Sequence, residues 1–114
     1  NKLRYCLKAV DILGEFINLK ARIRLMENKD YEKRKAKVLL DLVEQYAKAS
    51  DKRDVNKKLN KLADELYYKN RSSLSQKMID VALAIHSFTQ AASSGGHYQD
   101  LTEFILDLRE IINS

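Results

Sequence analysis

Apolar residues recur every three or four positions along nearly the whole chain, which is the period of an α-helix and not of a strand. The longest such run, Leu3 to Met26, carries two neighbouring stripes. One passes through Leu3, Cys6, Val10, Leu13 and Ile17, the other through Ala9, Ile12, Phe16, Leu19, Ile23 and Met26. A surface helix needs one stripe, so two predict a central helix walled by neighbours on more than one side. Turn chemistry in Glu27-Asn28-Lys29-Asp30 predicts its end near Asn28, with Asn28 or Asp30 capping a second helix over about 31–49. That helix aligns Ala36, Leu39, Val43 and Tyr46, broadened by Leu40, Leu42 and Ala47.

A break at Ser50-Asp51-Lys52-Arg53-Asp54, with Ser50 or Asp51 as cap, leads into a third helix over about 53–69. Its single stripe, Val55, Leu59, Leu62 and Leu66, stands opposite an almost wholly charged face, which predicts the most exposed helix of the set. Asn70-Arg71-Ser72-Ser73 ends it, and Ser73 with Gln76 has capping-box spacing. The fourth helix, about 74–92, runs through Leu74, Met78, Val81, Ile85 and Phe88 with further apolar residues on other sides, and reads as central. Ser93-Ser94-Gly95-Gly96 predicts a flexible connection, and a fifth helix over about 98–112 sets Leu101, Phe104, Ile105, Leu108, Ile111 and Ile112 on one face.

Connections of a few residues make consecutive helices antiparallel neighbours. The pattern therefore predicts an all-α, single-domain five-helix up-and-down bundle spanning residues 1–114. Helix pairs also recur at roughly 40 residues, the length of a HEAT-type unit, so a short HEAT-like α-solenoid is the alternative, although the pairs share no residue-level repeat.

Composition agrees with this picture and sharpens it. There is no proline and there are three glycines, so interior helix breakers are nearly absent. Cys6 is the only cysteine, which rules out an intramolecular disulfide and, with the lack of a long apolar run, points to an intracellular setting, cytoplasmic or nuclear. The chain begins at Asn1 without a methionine, which suggests a piece of a longer protein. The formal charge of +5 is unevenly spread: residues 31–72 hold twelve Lys/Arg against seven Asp/Glu, whereas residues 73–114 hold two against five.

That asymmetry supplies the candidate chemistry. Lys33, Arg34, Lys35 and Lys37 crowd the first turns of the second helix, where the helix dipole disfavours cations by a few tenths of a kcal/mol each. In an up-and-down bundle the turn between helices three and four lies at the same end. It would bring Lys69 and Arg71, with Tyr67 and Tyr68, beside Lys29, Lys33, Arg34 and Lys37. Adjacent helical residues diverge by about 100°, so one of Tyr67 and Tyr68 should face solvent. The set reads as a partner-binding site for an acidic ligand. It points to a non-enzymatic protein–protein interaction or scaffold domain that takes an acidic or amphipathic segment of another protein. The alternative is an RNA-binding helical domain using the same surface.

No catalytic residue, metal site or cofactor is predicted. His86 and His97 lack an i,i+4 partner, and no glycine-rich phosphate loop, nucleophile elbow or paired-cysteine motif is present. The spacing of Lys58-Leu59-Asn60-Lys61-Leu62, Leu74-Ser75 and Ala84-Ile85 loosely resembles the helical C-terminal domain shared by the outer COPII coat protein and the steroid receptor RNA activator protein. The resemblance covers less than half of the chain, the tryptophan-bearing last helix of that family has no counterpart, and no residue role follows from it.

Overall fold

The computed structural model describes residues 2–93 and 101–114, and the side chains of residues 14–93 and 101–114. Among them the chain is all-α, with no strand. Helix α1 is Lys2–Lys48, α2 Arg53–Asp64, α3 Gln76–Ser93 and α4 Thr102–Ile112, with a π-helical segment Glu65–Lys69 and a 3-10 turn Arg71–Ser73 between α2 and α3. None of these helices is long and apolar enough to cross a membrane. The glycine-bearing connection at Ser94, Gly95 and Gly96, His97, Tyr98 and the expected helix start at 98 lie outside the described residues, as does the side chain of Cys6.

Among the described residues four α-helices stand where five are expected, because the first two are one. Glu27-Asn28-Lys29-Asp30 contains neither glycine nor proline, and asparagine or aspartate inside a helix costs only about 0.7 kcal/mol relative to alanine. The capping potential of Asn28 and Asp30 is overridden, and α1 runs through them.

The expectation of one domain over residues 1–114 meets a division into two compact units, Asn1–Asp30 and Tyr31–Ser114. In the first, the described side chains give no sign of the walling that the double stripe predicts: Phe16, Ile17, Leu19, Ile23, Leu25 and Met26 are 46–71 % exposed.

The second unit holds the core. The Tyr31–Lys48 part of α1 contributes buried Ala36, Leu39, Leu42 and Val43, α2 contributes Leu59 and Ala63, and the π segment Leu66. From α3 come Met78, Val81, Ala82, Ile85 and Phe88, and from α4 Phe104, Leu108 and Ile111. Consecutive helices run antiparallel. Asn56 at the start of α2 reaches Ser93 at the end of α3, while Asp64 at the end of α2 lies by His86. Phe88 meets Phe104 at one end of α3, and Lys77 pairs with Glu110 at the other. An edge-to-face chain, Tyr46–Phe88 at 5.3 Å and Phe88–Phe104 at 5.8 Å, joins α1, α3 and α4 through one aromatic layer.

The helix ends are chemically specified. Lys52, and not Ser50 or Asp51, occupies the N-cap position of α2; Asp51 lies one residue earlier, its carboxylate accepting the Arg53 backbone N–H at 3.1 Å and gripping the Arg53 guanidinium, which holds the Asp51 carboxyl below the usual aspartate range. Ser75, and not Ser73, caps α3, its hydroxyl accepting the Met78 N–H at 3.3 Å. At the end of α1, the Lys52 ammonium donates to the carbonyls of Tyr46 (2.6 Å) and Ala49 (2.7 Å) and stands 5.0 Å above the Tyr46 ring. A cation there satisfies orphan carbonyls at the negative end of the dipole. Lys52→Met keeps the aliphatic stem and removes those bonds, so it is expected to lower stability by about 1.5 kcal/mol in urea unfolding.

Candidate functional site

The end of the Tyr31–Ser114 unit where α1 passes the α2–α3 connection is built by two hydrogen bonds. Asn70 Nδ2 donates to the Tyr31 hydroxyl at 2.9 Å, and the Ser75 backbone N–H donates to Glu32 Oε1 at 2.7 Å. Glu32 is buried, and its carboxylate at the first turn of α3 is where the dipole favours an anion. The two bonds clamp α1 to both sides of the 3-10 turn Arg71–Ser73.

The local backbone is unusual at this point. The Glu65–Lys69 segment is π-helical and closes with the Asn70 N–H donating to the Glu65 carbonyl at 3.2 Å. A widened turn of this kind re-aims side chains and recurs at functional positions. Here it buries Leu66 completely and carries Tyr67 and Tyr68. Their rings meet edge to face at 4.9 Å. Tyr67 packs against the core, whereas Tyr68 is 64 % exposed.

Cations lie on this aromatic floor. Lys35 stands 5.6 Å above the Tyr31 ring and Arg71 4.9 Å above the Tyr67 ring. Arg34 acts electrostatically on the Tyr31 hydroxyl, and Lys69 is exposed at the end of the π segment. Glu32 and Glu65 stand among these cations, and Glu32 is occupied as a cap.

The structure thus gathers Arg34, Tyr67, Tyr68, Lys69 and Arg71 from the sequence-predicted set and adds Lys35, Tyr31 and Asn70. It does not gather Lys33 and Lys37. At about 100° per residue these two share the α1 stripe that continues through Leu40 to Glu44, whose carboxylate reaches Arg109 of α4 at 3.8 Å. On that projection they fall on a different side of α1 from Tyr31 and Lys35. Lys29 is exposed and belongs to the Asn1–Asp30 unit. Lys77, also near the turn in sequence, is paired with Glu110.

Burial is the main cause that raises the Tyr31 phenol above its ordinary value of 10.0. The Asn70 hydrogen bond works against that shift, and nearby Glu65 adds to it. A raised folded value means that Tyr31 favours the native state fully below the unfolded value, and the contribution disappears as pH rises through the folded one. Alkaline unfolding monitored by circular dichroism is therefore expected to show a loss of stability above about pH 10 that Tyr31→Phe reduces.

Sequence reasoning missed a polar seam between α2 and α3. Asn56 Nδ2 donates to the Thr89 carbonyl (3.1 Å) and Ser93 Oγ (2.9 Å), and Asn60 Nδ2 to Thr89 Oγ1 (2.8 Å). Asn56 Oδ1 is buried and has no hydrogen-bond donor among the described residues. The signal available was Asn56 and Asn60 at i,i+4 beside the apolar stripe of α2. Asn56 borders a recess of about 350 Å³ with Tyr46, Lys52, Arg53 and Lys57. The acidity of the last third of the chain gathers instead on the α3–α4 face, where Asp80, Glu103 and Asp107 border a recess of about 360 Å³. Among the described residues no group of three or more His, Cys, Asp or Glu could hold a metal ion.

Comparison of the chain with protein-family models, with curated proteins and with solved structures gave no match.

Proposed function

We propose that the Tyr31–Ser114 unit, read as an up-and-down bundle, is a non-enzymatic interaction domain that works inside the cell. It docks an acidic segment of another protein on Arg34, Lys35, Lys69 and Arg71, with Tyr68 as the exposed aromatic contact. The observation that carries this reading is the Asn70–Tyr31 hydrogen bond, which joins two basic segments distant in sequence. An acidic chain laid across the junction would meet cations from both. Exposed pairs contribute little singly, so affinity on this reading comes from several contacts made together.

RNA is the second reading, favoured by the exposed Tyr68 ring among cations, which suits stacking of an unpaired base. Protein is preferred because only two of the four cations are arginines, and Arg71 is already laid on Tyr67.

The triple variant Arg34→Glu, Lys35→Glu, Arg71→Glu is expected to bind a fluorescent polyglutamate peptide at least about tenfold more weakly, with the helical circular dichroism retained. The triple variant Lys37→Glu, Lys57→Glu, Lys58→Glu, three exposed lysines outside the junction with the same change in net charge, is the matched control and should leave binding nearly unchanged. A triple variant that binds like the parent removes the junction as the site. Capture from lysate with and without nuclease separates the two readings, since a protein partner survives the treatment and an RNA-bridged one does not.

A further inference from the structure

The apolar face of the Asn1–Asp30 unit takes up a different question from the basic junction. Phe16, Leu19, Ile23 and Met26 are exposed at spacings of three, four and three, the a and d positions of a heptad, and the sequence extends the same spacing back to Ile12 and Ala9. With Phe16 at a, the positions flanking this seam are Glu15 (g), Lys20 (e), Arg22 (g) and Glu27 (e). Lys20 already leans over the seam, its ammonium 4.8 Å from the Phe16 ring. The next a and d positions, Asp30 and Lys33, are charged, so the seam stops at Met26.

We infer that this face is covered by the same face of a second copy of the chain, as a parallel, in-register two-stranded coiled coil. The flanking charges choose the occupant. In that arrangement each g residue faces the e residue of the following heptad on the other strand. Glu15 then meets the partner's Lys20 and Arg22 meets the partner's Glu27, both of opposite sign, and the symmetry axis doubles each pair. An antiparallel pairing that matches the same apolar residues, Phe16 with Met26 and Leu19 with Ile23, sets g against g and e against e and so brings Arg22 onto Arg22 and Lys20 onto Lys20, both of like sign. Gly14 falls at f, the outermost position, and a Cβ built on it meets nothing within 4 Å. The seam is thus self-complementary in charge, which a site for an unrelated helix has no reason to be.

Sedimentation equilibrium on the full chain is the test, with the polyglutamate-binding assay run alongside because the junction reading is independent of this one. The parent is expected at twice the chain mass, with Leu19→Asp/Ile23→Asp dimerising about a hundredfold more weakly while keeping its helical signal, since both residues are exposed in the single chain. Glu15→Lys should weaken the dimer, and adding Lys20→Glu should restore it. That rescue belongs to the parallel register alone. A chain that stays monomeric as concentration rises, a different stoichiometry, or a Glu15→Lys defect that Lys20→Glu does not repair would overturn the inference.

Discussion

Leu39→Ala is expected to lower the unfolding free energy by about 3 kcal/mol, and Leu106→Ala, on α4 of the same unit, by less than about 0.5 kcal/mol. Leu39 is fully buried in the layer that α1 shares with α2 and α3, so truncation removes transfer free energy and leaves a cavity that the antiparallel helices cannot easily close. Leu106 is largely exposed and gives up almost nothing on truncation. Chemical denaturation of both variants checks the difference. Equal losses would mean that α1 does not contribute its Ala36, Leu39 and Val43 stripe to this core.

Glu32→Ala should have the second-largest effect, about 2 kcal/mol, for a different reason. The substitution leaves the Ser75 N–H at the start of α3 without its acceptor and deletes an anion from the positive end of the dipole. It also loosens one of the two bonds that clamp α1 to the 3-10 turn. Binding of the polyglutamate probe is therefore expected to fall with stability even though the substitution removes negative charge from a cationic surface. Simple charge counting predicts the opposite sign, tighter binding, so the direction of the change distinguishes a held geometry from diffuse attraction.

The buried stripes were legible in the residues: Ala36, Leu39 and Val43, Leu59 and Leu66, Met78, Val81, Ile85 and Phe88, and Phe104, Leu108 and Ile111 all lie in the core. Misreadings arose where local chemistry was outvoted. At Asn28 and Asp30, residues that favour caps sit where helix continuation costs little. Along α2 and into the π segment the buried line is Asn56, Leu59, Ala63 and Leu66, with Val55 and Leu62 only half-buried, because the α2–α3 seam admits polar residues that hydrogen-bond across it. The π segment has no sequence signature, since one widened turn leaves the apolar spacing nearly unchanged.

At the site, convergence of the two basic segments followed from the order of helices, but the choice of residues within them did not. Sequence neighbours were grouped by which end of the bundle they occupy, whereas the side of the helix decides. Tyr31 bonds to Asn70 and carries Lys35 over its ring, whereas Lys33 and Lys37 fall on another side of α1. Glu32 was visible in principle, because it lies four residues before Ala36 on the apolar stripe itself. A carboxylate in such a position is either exposed by fraying or used as a buried acceptor.

Titration of the isotope-labelled chain with polyglutamate peptide, read by amide chemical shifts, tests the account most directly. Residues near Arg34 and Lys35 on α1 and those from Tyr68 to Arg71 should shift together along one saturation curve, while Lys37 and the Asp80–Glu103 face remain still. Shifts confined to one of the two segments, or gathered around Lys52, Arg53 and Lys57 at the opposite end, would contradict it.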